Sequence, residues 1–449
     1  LLARDADALR CFRLANRAML VQMAFSGRVK SAERGGRPAA GRVNPDDAMH
    51  ACYEWRPFQL AFLLLVLRSM WEEGDPFRDV VDLIWFPTGG GKTEAYLAAA
   101  AFDMLRRRLR DPGNGGGTAV IMRYTLRLLT QQQFQRAGHL ICALESLRMQ
   151  GAGSLGDEPF SLGLWIGSGN APNALSDAAE KFDRLIRQRP GPVRNPFILL
   201  RCPACGSPVI SPTRHTDGDE GVGIRCTPAA FGFFCLEPRC EFHRSIPVQI
   251  VDEALYRAPP TMLLATLDKF AMMAWKENAG RFFGSGTRNA PPSLVIQDEL
   301  HLISGPLGTV AGGYEAALDA VIAHRGGRPK VIASTATIRR SADQAQGLFA
   351  REAAVFPPAG LTAGETFFSR PDPDVPGRLY LGAMAQGHTP TFSNVLASAS
   401  LLTAVPRLGL PDAVDDSWWT LVVYHNSRRE LGRSLTLARD DIPSRHAAL

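Results

Sequence analysis

The chain has 449 residues, a formal net charge of +6 and 45% hydrophobic residues. That length exceeds one ordinary domain and suits two or three, and the apolar share excludes wholesale disorder. The longest apolar run, 60–67, is far shorter than the ~20 residues that span a bilayer, so no membrane partner is expected; the mild basic excess suits a polyanion without demanding one.

No basic, apolar and small-residue leader opens the chain, which begins Leu-Leu and stops soon after a strand–helix signal; it reads as a fragment of something longer. A helix is expected over 8–23, where apolar residues recur at helical spacing. A polar, Gly-rich, basic loop is expected over 27–46, and a strong helix over 56–70. The apolar run 80–86 reads as a strand. It ends in Pro87-Thr88-Gly89-Gly90-Gly91-Lys92-Thr93, and a helix follows over 93–109. Strand, glycine loop and helix together form a phosphate cradle. Glycines admit the backbone close to phosphate oxygens, the lysine reaches the β- and γ-phosphates, and the threonine hydroxyl holds Mg²⁺. The helix also turns its positive end toward the same anion. The full pattern wants a glycine six residues before the lysine, where this chain has Phe86. Helicase-type loops often lack that glycine.

Further strands are expected at 118–124, 161–166, 262–266, 294–297 and 330–333, with helices between, which argues for a parallel sheet covered on both faces. The basic run Arg106, Arg107, Arg108 and Arg110 reads as a solvated helix end. The strand 294–297 runs into Asp298-Glu299-Leu300-His301. Asp298 is placed to hold Mg²⁺ and Glu299 to orient or deprotonate an attacking water. Thr335 and Thr337 follow the next strand. Either they bridge to a second lobe or they cap a helix.

Between 190 and 255 helical periodicity vanishes and cysteines crowd. Cys202-Pro-Ala-Cys205-Gly is a knuckle-like turn, and Cys235 and Cys240 offer a second pair, so four thiolates suit a structural tetrahedral Zn²⁺. The gap between the pairs exceeds the usual ribbon spacing. Cys226 is the main rival for a ligand position and His243 a weaker one. A nucleotide site points to a cytoplasmic chain, where cysteine clusters favour metal over disulfides. The 357–411 stretch is loop-rich, and 418–425 followed by 428–438 reads as a strand and helix.

The order PTGGGKT, DELH, TAT resembles the first lobe of a superfamily 2 helicase. The phrases FRLANRAML, WFPTGGGKTEAYL, RYTLRLLTQQQFQRA, ATLDKFA, QDELHLISGPLG, STATIRR and VVYHNSRRELGRSL resemble the DrmA-like DISARM anti-phage defence helicases. The resemblance implies an α/β, RecA-like P-loop NTPase sheet with helices on both faces, a zinc-ribbon-like insertion and the start of a second RecA-like lobe. The expected domains are a helical lead-in (1–50), a first ATPase lobe (51–360) interrupted by the zinc-binding insertion (190–255), a linker (361–411) and a truncated second lobe (412–449). It implies ATP-dependent DNA helicase or translocase activity in bacterial defence, on single-stranded DNA or DNA with a single-stranded overhang. A partner protein from the same system would assist. Gln59, in Arg56-Pro57-Phe58-Gln59 upstream of Lys92, looks like the residue that reads an adenine edge, though a plain surface-helix glutamine fits as well. His301, Thr335 and Thr337 would couple the ATP site to the second lobe. Arg123, Thr125 and Arg127, with Thr266 and Lys269, would grip phosphate without reading sequence. The arginine-rich motif that completes the ATP site has no counterpart after Arg445, so nucleotide binding with poor turnover is expected. A DNA-binding scaffold switched by ATP without unwinding is the alternative. A protein-remodelling ATPase is disfavoured by the motif order.

Overall fold

The computed structural model describes residues 1–47, 52–86, 89–124, 127–151, 155–167, 171–187, 195–212, 219–336, 340–362, 365–375, 377–384 and 386–448, with backbone alone at 127–131, 412, 413 and 415. Two compact units result, Leu1–Pro371 and Asp372–Leu449.

The first unit runs α1 (Ala6–Glu33), α2 (Pro57–Trp71), β1 (Val81–Trp85), α3 (Lys92–Arg110), β2 (Val120–Tyr124), α4 (Arg127–Met149), β3 (Leu162–Trp165), α5 (Leu175–Ile186), β4 (Ile224–Cys226) and β5 (Phe231–Phe233). It continues with β6 (Val248–Gln249), α6 (Asp252–Arg257), β7 (Met262–Thr266), α7 (Leu267–Phe270), β8 (Leu294–Gln297), α8 (Gly305–His324), β9 (Lys330–Thr335), α9 (Ser341–Phe349) and β10 (Ala353–Phe356). Eight strands form one sheet in the order β10-β1-β9-β8-β2-β7-β3-β6, and every pairing in it is parallel. The expected α/β, RecA-like parallel sheet is present.

Strand side chains alternate between two cores, as a pleated sheet covered on both sides requires. Ile84, Val120, Met122, Leu264, Ile296 and Ile332 join the core beneath α1 to α4. Leu83, Ile121, Leu263, Val295, Val331 and Ala333 face the opposite way, toward α7, α8 and α9. Helix α3 is buried nearly all round. Ala95 and Ala98 to Ala101 sit at 1% exposure or less, small enough for α1, α2 and the sheet to close on it together.

Three expectations need correction here. The 27–46 loop is helical as far as Glu33, because Val29 and Ala32 continue the buried stripe of α1. The lead-in is therefore part of the first unit's core. The 106–110 run is not a solvated helix end: Arg106, Arg107 and Arg108 are buried. Arg106 pairs with Asp103 at 2.9 Å, and Arg107 donates to the carbonyls of Gly116, Thr118, Ala290 and Pro291. Finally, 418–425 contains no strand. A strand exists only where a neighbour takes up its backbone groups, and the described residues of the second unit provide none.

That second unit holds α10 (Pro390–Arg407), α11 (Asp412–Trp418), α12 (Arg428–Arg439) and α13 (Asp441–Ala448). Helix α10 falls within the expected linker and is capped by Thr389, whose hydroxyl accepts from the Phe392 amide. Thr403 meets His446 of α13 at 2.7 Å.

One buried ion pair pins the amino ends of the central strands. Lys330, wholly buried at the start of β9, lies 2.7 Å from Asp82 of β1 and donates to the carbonyls of Phe77 and Val80 at 2.6 Å each. Removing one member of such a pair strands the other charge. Lys330→Met should lower unfolding free energy by about 3–5 kcal/mol, read from denaturant midpoints, and Lys330→Met with Asp82→Leu should recover most of the loss.

Candidate nucleotide site and cysteine cluster

Because the strands are parallel, their carboxyl ends share one edge. β1 delivers the glycine loop there, β8 delivers Asp298 and Glu299, and β9 lies between them. A cavity of about 740 Å³ opens at that edge. Gly89, Gly90, Gly91, Lys92, Thr93, Asp298 and Glu299 line it, with Arg56 and Gln59 from the α2 entry. Thr88 lies outside the described residues.

Local sequence explains the loop. Gly89 and Gly91 hold φ of 82° and 97°, a region that penalises any side chain. A methyl group on Gly91 would also stand 2.6 Å from Nε2 of Gln59. Phe86, standing where the wider pattern has glycine, stacks on Phe58 of α2 with ring centroids 4.0 Å apart. The aromatic fixes the loop's start against the neighbouring helix.

Arg56 and Gln59 act on the loop's backbone. The Arg56 guanidinium donates to the Gly90 carbonyl at 2.6 Å, and the Gln59 amide donates to the Gly91 carbonyl at 2.8 Å. Oε1 of Gln59 accepts from the Arg56 amide at 3.0 Å, and the side chain is buried. Both amide groups of Gln59 are thus committed to protein, so the surface-glutamine reading fails.

Charge is concentrated here. Lys92 donates to the Phe86 carbonyl at 2.6 Å. Burial pushes its ammonium below the usual lysine range, while Glu299 and Asp298 pull it back up. Burial and the adjacent Asp298 raise the Glu299 carboxyl. Glu299 also holds φ of 50°, one of few non-glycine residues there, and such strain concentrates at working sites. His301 lies 3.4 Å from Glu299 and 3.4 Å from the hydroxyl of Thr335, so it spans the acidic pair and the end of β9. Thr337 lies outside the described residues.

Two residues escaped the sequence reading. Tyr96 donates to Oδ2 of Asp298 at 2.9 Å, and its hydroxyl lies 3.1 Å from Oγ1 of Thr93. Gln133 reaches the same carboxylate oxygen at 3.5 Å. Tyr96 follows Thr93 by one helical turn, so spacing alone put it on the same face. Nothing in the QQQ run distinguished Gln133. Asn16, Met19 and Trp55 also line the cavity, which makes α1 one of its walls.

Of the expected nucleic-acid contacts, Arg123, Thr266 and Lys269 are buried. Arg123 and Lys269 are buried ion pairs, not surface cations. Arg123 points to the sheet face under α8, pairs with Glu315 and sits between the rings of Phe270 and Phe349; burial brings its guanidinium down to about 9. Lys269 pairs with Asp252 at 2.6 Å. Thr266 is buried at the end of β7. Strand alternation turns Arg123 under α8, while Lys269 packs against Asp252 of α6, Asn173 and the Trp165 ring. Thr125 and the Arg127 side chain lie outside the described residues.

Cys202, Cys205, Cys235 and Cys240 converge, with all four sulfurs within 4.8 Å of one another. The Cys202–Cys240 and Cys205–Cys235 separations are 3.9 and 3.4 Å. Tetrahedral zinc with ~2.3 Å bonds needs sulfurs about 3.8 Å apart, so the donor set fits. Cys226 stands apart on the β4–β5 hairpin, and His243 contacts the Cys235 carbonyl at 2.7 Å rather than the thiols. The insertion packs on the main core. Its Phe197, Phe231 and Phe233 join the main core, and Pro203 packs on α4, where its carbonyl lies 2.7 Å from Nδ1 of His139.

No family model matches the chain. DISARM protein DrmA of Bacillus paralicheniformis is 37% identical over 447 residues, covering 87% of this chain. The chain is similar to DrmA along most of its length. It spans 39% of that relative. Among solved structures, the DUF1998 helicase MrfA covers 92% of the chain at 12% identity and a TM-score of 0.45, and helicase Lhr of Mycobacterium smegmatis covers 67% at 15% and 0.38. With scores this low, strand order and direction remain the grounds for the fold. Among the described residues, no helix is long and apolar enough to cross a membrane.

Tyr96→Phe leaves the buried Asp298 carboxylate without its hydroxyl donor. The variant should lose about 1–3 kcal/mol of stability, measured by urea denaturation.

Proposed function

We propose that the chain is the nucleotide-binding part of an ATP-dependent superfamily 2 DNA helicase or translocase serving bacterial anti-phage defence in the cytoplasm. The observation that carries this reading is the single cavity in which Lys92 and Thr93 face Asp298 and Glu299. Lys92 would exchange its Phe86 carbonyl for the β- and γ-phosphates of ATP. Thr93 and Asp298, oxygen donors linked through Tyr96, would hold Mg²⁺, which suits hard oxygen ligands and offsets phosphate charge when bound. Glu299, its carboxyl raised by burial, would orient and deprotonate the attacking water, with His301 passing its state to Thr335. Arg56 and Gln59 set the loop's shape, and Gln59 can read an adenine edge only by releasing Gly91.

DNA as the substrate, and a partner protein of the same defence system, rest on the similarity to DrmA and on the motif order. The phrase VVYHNSRRELGRSL supports reading 412–449 as part of a second RecA-like lobe. The cavity's guanidiniums among the described residues are both engaged: Arg56 bonds to Gly90, and Arg136 lies 3.7 Å from Glu94. The chain by itself should bind nucleotide but turn over slowly, since the superfamily 2 motif order puts the arginine that meets transition-state charge in a second lobe.

Lys92→Ala should weaken binding of a fluorescent ATP analogue by about tenfold or more, because it removes a charge-assisted contact. Glu299→Gln should leave binding in place while cutting hydrolysis by about 10²–10⁴-fold. Unchanged hydrolysis in Glu299→Gln would remove the assigned base. A strand-displacement assay on the intact protein separates a motor from an ATP-switched scaffold.

For the cysteine cluster we propose structural zinc. Metal analysis should return about one zinc per chain. Cys202→Ser with Cys235→Ser should abolish it and cost several kcal/mol of stability, since metal binding and folding of such sites are coupled.

A further inference from the structure

At the amino ends of the strands, opposite the nucleotide cavity, lies a basin of about 680 Å³ lined by seven arginines and only two carboxylates, Glu73 and Asp111. The residues before β1, β8 and β9 and the last turn of α3 form it. A five-residue strand separates the two edges by ~17 Å, so the basin is distinct from the phosphate loop.

Part of its charge is left uncancelled by structural partners. Arg78 donates to the carbonyls of Ser69, Met70 and Arg328, and Arg107 donates to carbonyls alone. Carbonyls satisfy the N–H groups yet leave the full positive charge in place. Arg106 has Asp103, and Arg328 at the rim has Asp79. Among the lining residues seven guanidiniums meet two carboxylates, with Asp103, Asp79, Asp5, Glu158 and Asp319 acting from outside the lining. Their mutual repulsion shows in Arg78, Arg107 and Arg110, which burial and then, in part, Arg106 hold below the ordinary arginine range. At the rim, Arg288 is exposed and makes no hydrogen bond or ion pair among the described residues. Arg325 uses one nitrogen on the Gly284 carbonyl at 3.0 Å.

We propose that this basin is a second phosphate-binding site, recognising either a backbone phosphate of nucleic acid or a free polyphosphate. Convergent guanidiniums match phosphate oxygens in fork geometry. Low-dielectric walls focus their field into the concavity. A recessed basin favours a compact, multiply charged group over the dispersed single charges of an acidic protein surface.

The test uses the whole chain carrying Lys92→Ala, so that a failure of the ATP-site reading and a failure of this one are distinguishable. Pyrophosphate is titrated by calorimetry, and a fluorescein-labelled single-stranded oligodeoxynucleotide by anisotropy. Pyrophosphate should bind at one site, and Arg288→Glu with Arg325→Gln should weaken it by about tenfold or more, as expected for lost charge-assisted contacts. Arg288→Glu alone, which touches no structural bond, should give part of that loss with an unchanged melting temperature. If the oligonucleotide weakens in parallel, the occupant is nucleic-acid backbone; if not, it is free polyphosphate. Absence of pyrophosphate binding, binding indifferent to both variants, or displacement of the oligonucleotide by poly-glutamate but not by pyrophosphate would each overturn the proposal.

Discussion

The direction of the strands governs this molecule. Every strand of the main sheet points the same way, so segments that leave β1, β8 and β9 far apart in sequence emerge on one edge. That edge gathers one half-buried ammonium, two neighbouring carboxylates and a loop of glycines whose positive φ values no other residue tolerates well. Each group alone would be costly in a half-buried setting. Together they oppose one another, as the competing influences on Lys92 show. Tyr96 ties the hydroxyl of the loop helix to the carboxylate of the distant strand, turning proximity into a fixed geometry.

Buried charge recurs through the first unit and is handled in two ways. Lys330 and Arg123 meet carboxylates from neighbouring elements and pin strands or helices in place. Arg78 and Arg107 instead occupy carbonyl groups at chain turns. The second arrangement satisfies donors without cancelling charge, and that difference gives the lower edge of the sheet its basic basin.

The P-loop strand, the acidic strand and the cysteine pairs were legible because each is a local pattern with a local cause: apolar alternation, glycine dihedrals, paired thiols on tight turns. Arg123 and Lys269 were misread for the opposite reason. A cation near the end of a strand looks the same in sequence whether it meets solvent or a helix that returns nearly two hundred residues later, as α8 does with Glu315. The buried arginines near the end of α3 failed likewise, since their partners come from loops at 116–118 and 290–291. At 418–425 the alternation was real, but a strand needs a neighbour as well as a pattern.

By itself, then, the sequence determined the alternation of strands and helices around the phosphate loop, that loop, the carboxylates and the cysteine pairs, because short-range sterics and ligand chemistry act within a few residues. Only the tertiary structure decided which charges are buried, that Tyr96 and Gln133 belong to the site, that α1 walls the cavity, and that arginines from four segments share one basin. Those outcomes depend on which face of each element is covered, and coverage is a property of packing between segments distant in the chain.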